Sequence, residues 1–180
     1  MEIKSKPQLI DGLEKNFSDL IRWIENQPGE KFEANIQPEK WSTGQHLAHL
    51  IKSTRPVNLV LRLPKFVLQW RFGTNNREEK TFGALVEKYH EKLAAGGTAT
   101  SAFRPSAVSL SQKEEMLLSF NQELKRLIKK VNHWSEKDLS HYIVPHPLLG
   151  KITVRELIFF TIYHTEHHLK IIQRDYSYNA

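Results

Sequence analysis

No cysteine occurs among the 180 residues. That rules out disulfides and thiolate ligands, so any metal must be held by His, Asp or Glu. It also agrees with a reducing compartment, and a cytoplasmic location is expected. Long hydrophobic runs are missing too. The longest unbroken apolar stretches are too short to span a bilayer, and Met1-Glu2-Ile3-Lys4-Ser5-Lys6 has no apolar signal core. No membrane partner is expected. The net charge is +6, but the bases are scattered rather than clustered. That argues for solubility and against a nucleic-acid partner. Arg55, Arg62, Lys65 and Arg71 come nearest to a basic rim and read as a solvated face. There is no Gly-rich phosphate loop, no Gly-x-Ser-x-Gly and no His-Glu-x-x-His. No strand is clearly signalled, although Ser140 to Val144 could be extended. No repeat or second domain is visible.

What is present is helical periodicity. The first pattern runs from Pro7 to Gln27, with Ile10, Leu13, Phe17, Leu20 and Ile24 on one stripe. Pro7 suits a first turn, and Pro28-Gly29 ends the pattern. The second starts at Ser42, where Ser42 and Gln45 have capping-box spacing, and runs through Leu47, Leu50, Thr54, Val57 and Leu61 toward Trp70. Trp41 before the cap reads as a hydrophobic staple, and Pro56 and Pro64 should kink or interrupt the helix. The third runs from Ser111 to Trp134, with Ser111 and Glu114 as its capping box. The fourth runs from Thr153 to Arg174, capped by Thr153 and Glu156. A long connection, Phe72 to Leu110, contains a short helix from Phe82 to Ala95 closed by Gly96-Gly97. A long crossover between the second and third helices is a known way to connect a four-helix bundle. The expected fold is therefore all-α, and 180 residues are enough for one domain with a sizeable core.

Nine histidines are the chemistry-bearing residues. His164 and His168 are four apart and lie on one helical face, in line with Leu157, Thr161 and Ile171. Two imidazoles on a core-facing stripe need hydrogen-bond partners or a metal. Thr161 is small and leaves room beside them, and His167 adds a third ring on the flank. His46 and His49 lie on the second pattern, three residues apart, so only one is expected to point at the pair. Spacing alone does not choose between them. Three neutral imidazoles from two helices could hold a divalent ion and leave a position open, unless His46 or His167 closes it. His90, His133, His141 and His146 read as ordinary surface or loop residues. Glu166 points away from both His164 and His168 at helical spacing and is not assigned as a base. No catalytic residue is assigned.

The segment Lys40-Trp41-Ser42-Thr43-Gly44-Gln45-His46-Leu47-Ala48-His49-Leu50 resembles the second-helix signature of the DinB/YfiT-like superfamily. His146 to Leu157, continuing to Tyr163-His164-Thr165-Glu166-His167-His168, resembles that family's last helix with its His-x-x-x-His pair. One departure is Gln45, where relatives often carry Glu; either completes the cap. The resemblance spans nearly the whole chain and implies one four-helix-bundle domain over residues 1–180. It implies His49, which precedes Leu50, together with His164 and His168, as ligands of a divalent metal, zinc or nickel foremost. It further implies a homodimer and a small-molecule substrate. The reaction it implies is transfer of a low-molecular-weight thiol to an electrophile, with metal-dependent hydrolysis or a non-catalytic metal-binding or stress role as alternatives.

Overall fold

Ser5 opens the first helix through a reciprocal box with Gln8, whose side chain accepts from the Ser5 backbone N–H at 3.0 Å. With Pro7 in its first turn, α1 runs Lys6–Glu25 and buries Leu9, Leu13, Phe17, Leu20 and Ile24. The computed structural model describes residues 2–177 except 36 and 38. After α1 come a single turn, α2 (Glu30–Glu33), and then α3 (Thr43–Val60). The Ser42–Gln45 box starts α3 as expected. Pro56 does not break α3. It sits at an exposed position of α3, at the rim of the cavity described below. Pro64 does interrupt. It caps a separate short helix, α4 (Lys65–Phe72), so the second pattern is two helices.

The long connection carries α5 (Phe82–Ala94), close to its expected span, ended at Gly96 with φ +88. Two short 3-10 turns follow, Ser101–Phe103 and Leu110–Gln112. The Ser111–Glu114 box is not the one used. Ser109 and Gln112 cap one turn earlier, and α6 (Lys113–His133) continues from there. Two further elements lie between α6 and the last helix. One is α7 (Glu136–His141). The other is an antiparallel hairpin, β1 (Ile143–His146) with β2 (Gly150–Thr153). The sequence hinted at extended backbone only at residues 140–144. The hairpin depends on a partner strand that lacks its own periodic signal. Thr153 and Glu156 then cap α8 (Val154–Ser177) by exchanging bonds of 2.9 and 3.0 Å.

Helices α1, α3, α6 and α8 form the bundle. Their main contacts run α1 to α8, α8 to α3, α3 to α6 and α6 back to α1. Phe17 and Phe120 stack at 4.3 Å between α1 and α6. Every residue from 152 to 165 is buried, so α8 is enclosed on all sides at its start, Arg155 and Glu156 included. α5, α7 and the hairpin cover the flank of α8 that the bundle leaves open.

Glu156 fastens this cover. Its carboxylate is fully buried and accepts from Thr153 N, Lys80 N and the Arg77 guanidinium. Burial pushes its pKa up, but these donors outweigh it and the net shift is down. Glu156→Ala would take from Thr153 N and Lys80 N their carboxylate acceptor and leave Arg77 with only the carbonyls of Glu78 and Lys151. Because Arg77 is one-third exposed and keeps some hydration, the expected loss is about 2–3 kcal/mol. Urea unfolding at neutral pH measures it; a loss below about 0.5 kcal/mol would mean that the cover is held elsewhere.

Candidate metal centre

Residues one helical turn apart on α8 and three apart on α3 face each other across the bundle end. Capped at Ser42, α3 turns both His46 and His49 inward, and both are buried. His164 and His168 on α8 are buried beside them. The Nε2 atoms of three rings converge: His164 Nε2 is 3.2 Å from His49 Nε2 and 3.0 Å from His168 Nε2. His49, His164 and His168 form the group of described residues whose ligand atoms could hold a metal ion. Two imidazole nitrogens, each about 2.0–2.1 Å from one tetrahedral ion, stand about 3.3–3.4 Å apart. The observed spacings are close to that.

Proton bookkeeping points the same way. His49 Nδ1 lies 2.8 Å from Phe103 O, an obligate acceptor, so Nδ1 carries the proton and Nε2 is a bare lone pair. His164 Nε2 offers one position, either a proton or a lone pair. With a lone pair it repels His49. With a proton it gives that proton to His49 and has only a bifurcated share for His168. A cation among the three nitrogens satisfies all of them. The site therefore fits a divalent ion on the chemistry of its donor set.

His46 does not point into this convergence. Its Nδ1 meets His168 Nδ1 at 2.7 Å, on the far side of the His168 ring. If His168 turns its Nε2 lone pair inward, its Nδ1–H donates to His46, which fixes the ring as outer hydrogen bonds fix metal-binding histidines. Trp41 closes the cluster from outside, with its ring 5.5 Å from His46, 5.1 Å from His49 and 6.2 Å from His168. The residue expected to act as a hydrophobic staple thus stacks on imidazoles.

Electrostatically, the cluster is kept neutral. Burial pushes His46 down to about 4, assisted by repulsion from His49. Burial likewise lowers His49, and takes His164 and His168 well below the ordinary value, with neighbouring imidazoles adding to it. Neutral imidazole is the form that binds a metal.

The cluster opens onto a cavity of about 400 Å³ between α3, α5, α8 and the hairpin. Among the described residues lining it are His49, His164, His167 and His168, walled by Val57, Leu93, Phe103, Leu157 and Phe160. His146, expected to be an ordinary loop residue, is part of that wall. His90 is exposed, but its Nε2 bonds Tyr163 OH at 2.5 Å beside the same flank. His133 and His141 are exposed, as expected. Glu166 is not at the site; it pairs with Lys170 at 2.5 Å.

A helical bundle with a long crossover and three histidines from two helices converging at one end defines a class of metal-site bundle. The sequence profile of the DinB superfamily matches residues 12–172. The chain belongs to that superfamily. A search among curated proteins finds no match. Among the described residues, no helix is long and apolar enough to cross a membrane.

Proposed function

We propose that the protein is a metal-dependent enzyme that transfers a low-molecular-weight thiol to an electrophilic small molecule, with His49, His164 and His168 as the ligands of one zinc or nickel ion. The observation that carries this reading is the convergence of three Nε2 atoms at the edge of a cavity whose described lining residues include no carboxylate. Three neutral ligands would leave such an ion its full charge, which lowers the pKa of a coordinated thiol and presents the thiolate at neutral pH. A thiolate needs no general base, and among the described lining residues neither Asp nor Glu is available to act as one.

The chain's own residues orient and exclude. Phe103 O holds the His49 ring in the tautomer that aims Nε2 inward. Trp41 and Phe103 shield the cluster from bulk water. The apolar wall seats the electrophile. Sulfur then forms a bond to the electrophilic carbon, the leaving group departs with its bonding pair, and the thiol proton passes to solvent.

The test is optical. Cobalt-substituted protein should develop a sulfur-to-metal charge-transfer band when a small thiol is added, with release of a proton, and the band should be absent in His164→Ala. If thiols leave the spectrum unchanged while acetate perturbs it, thiol transfer is wrong and hydrolysis takes its place.

A further inference from the structure

The hairpin places one more histidine in the cavity, and its backbone bonds fix what it can do there. His146 ends β1, pairs in register with Gly150, and is followed by the turn of Pro147, Leu148 and Leu149. Gly150, with φ +75, supplies the left-handed backbone that brings the chain round. His146 Nδ1 lies 3.2 Å from both Leu148 N and Leu149 N. Two backbone N–H groups donate to it, so Nδ1 is a lone pair and a neutral ring must carry its proton on Nε2. Burial holds His146 down to about 4, which keeps the ring neutral. The ring lies against Phe160 at 4.3 Å, and Phe160 in turn stacks on His164 at 4.7 Å. Among the described residues, Nε2 has no hydrogen-bond partner.

The rest of the lining narrows what that N–H can meet. None of the described lining residues is Lys, Arg, Asp or Glu, so a charged ligand has no side-chain counterion there. Ser53 turns its hydroxyl back to His49 O at 2.8 Å. Tyr89 stays a neutral phenol, its pKa pushed up to about 12 by burial, and its hydroxyl can donate or accept. Of these three, His146 is the one obliged to donate; the indole N–H of Trp41, which also only donates, lies beside His46 and His49.

We propose that the cavity takes an uncharged, largely apolar molecule bearing a hydrogen-bond acceptor, and that His146 Nε2–H is the group that positions this acceptor beside the histidine cluster. This rests on the reading of the cavity as the seat of the electrophile, and it names the class: an aromatic or aliphatic carbonyl, ester or nitro compound rather than a carboxylate or phosphate. A volume of about 400 Å³ suits a molecule of two fused rings.

Three probes of one shape separate the possibilities: 2-acetylnaphthalene, 2-ethylnaphthalene and 2-naphthoate. Each is measured by equilibrium dialysis against the purified protein, with metal content determined on the same samples. With or without metal, the acetyl compound should bind more tightly than the ethyl compound by roughly two- to tenfold, and in metal-free samples, where no cation offers it a coordination position, the carboxylate should bind weakest. His146→Asn keeps an oxygen that can accept from the turn N–H groups but removes the ring donor. It should erase the advantage of acetyl over ethyl and leave ethyl binding unchanged. His146→Phe should do the same if the turn survives. Equal binding of the acetyl and ethyl compounds to the wild-type protein overturns the proposal. So does a parallel loss of both in His146→Asn, or tighter binding of the carboxylate to metal-free protein. A metal-free sample that still prefers acetyl over ethyl separates the two readings, because the preference then stands whether or not the histidine cluster holds an ion.

Discussion

His164→Ala, His49→Ala and His168→Ala should each release the metal on gel filtration, while His46→Ala should retain it with affinity weakened by roughly 10–100-fold. The graded result follows from geometry. The first three residues aim Nε2 at one point, so loss of any one leaves two ligands. His46 touches only the far nitrogen of His168, so its loss frees the His168 ring without removing a ligand. Elemental analysis after dialysis against a graded chelator series reads both effects. A His46→Ala protein as metal-poor as His49→Ala would place His46 inside the coordination sphere and close the open position.

The second large effect is acid lability. A histidine whose folded pKa is depressed contributes stability that is fully present above the unfolded value near 6.5 and is lost as pH falls toward the folded value. His46, at about 4 when folded, sets the window as pH 6.5 to 4. His164 and His168 are shifted the same way by burial. These three are each 6% exposed. Counting His46 alone, the unfolded chain binds nearly one more proton than the folded one at pH 5.5, a slope of about 1 kcal/mol per pH unit, and His164 and His168 add to it in the same direction. Bound metal steepens it further, because protons compete for the same nitrogens. Urea midpoints at pH 7.5, 6.5 and 5.5 should fall steeply across the last interval. A midpoint that stays flat to pH 5.5 would mean that the cluster is hydrated and titrates normally.

How much of this was legible in the chain depends on which geometry decides each residue. The pair His164 and His168 was readable because helical rise and twist fix residues four apart on one face, whatever surrounds them. The choice between His46 and His49 was not. Residues three apart straddle a stripe, and which one faces α8 depends on the rotation of α3 about its own axis. Packing against α6 and α8 sets that rotation. The resemblance to relatives supplied the preference for His49, and it could not show that His46 braces His168. The division of the second pattern at Pro64 followed from proline chemistry, yet Pro56, at an exposed position, sits within α3 without ending it.

His146 reads as a loop residue in the sequence because its role is tertiary. Periodicity says nothing about a four-residue strand, and the cavity wall exists only once the hairpin folds onto α8. A local signal was present: a histidine before proline is biased to extended backbone, and Gly150 four residues on permits the return. Together they mark a turn whose first side chain can accept backbone N–H groups. Trp41 shows the reverse. Its place as a staple was legible, but its partner turned out to be the imidazole of His46 rather than an aliphatic chain.

Three imidazoles, and not four, are expected to hold one divalent ion at the mouth of the apolar cavity. X-ray absorption at the zinc edge of stoichiometrically loaded protein tests this most directly. Three imidazole ligands at about 2.0–2.1 Å are expected, with one or two light atoms from solvent, and replacement of a light atom by sulfur at about 2.3 Å on adding a small thiol. A fourth imidazole with no change on adding thiol would contradict it and make the site structural.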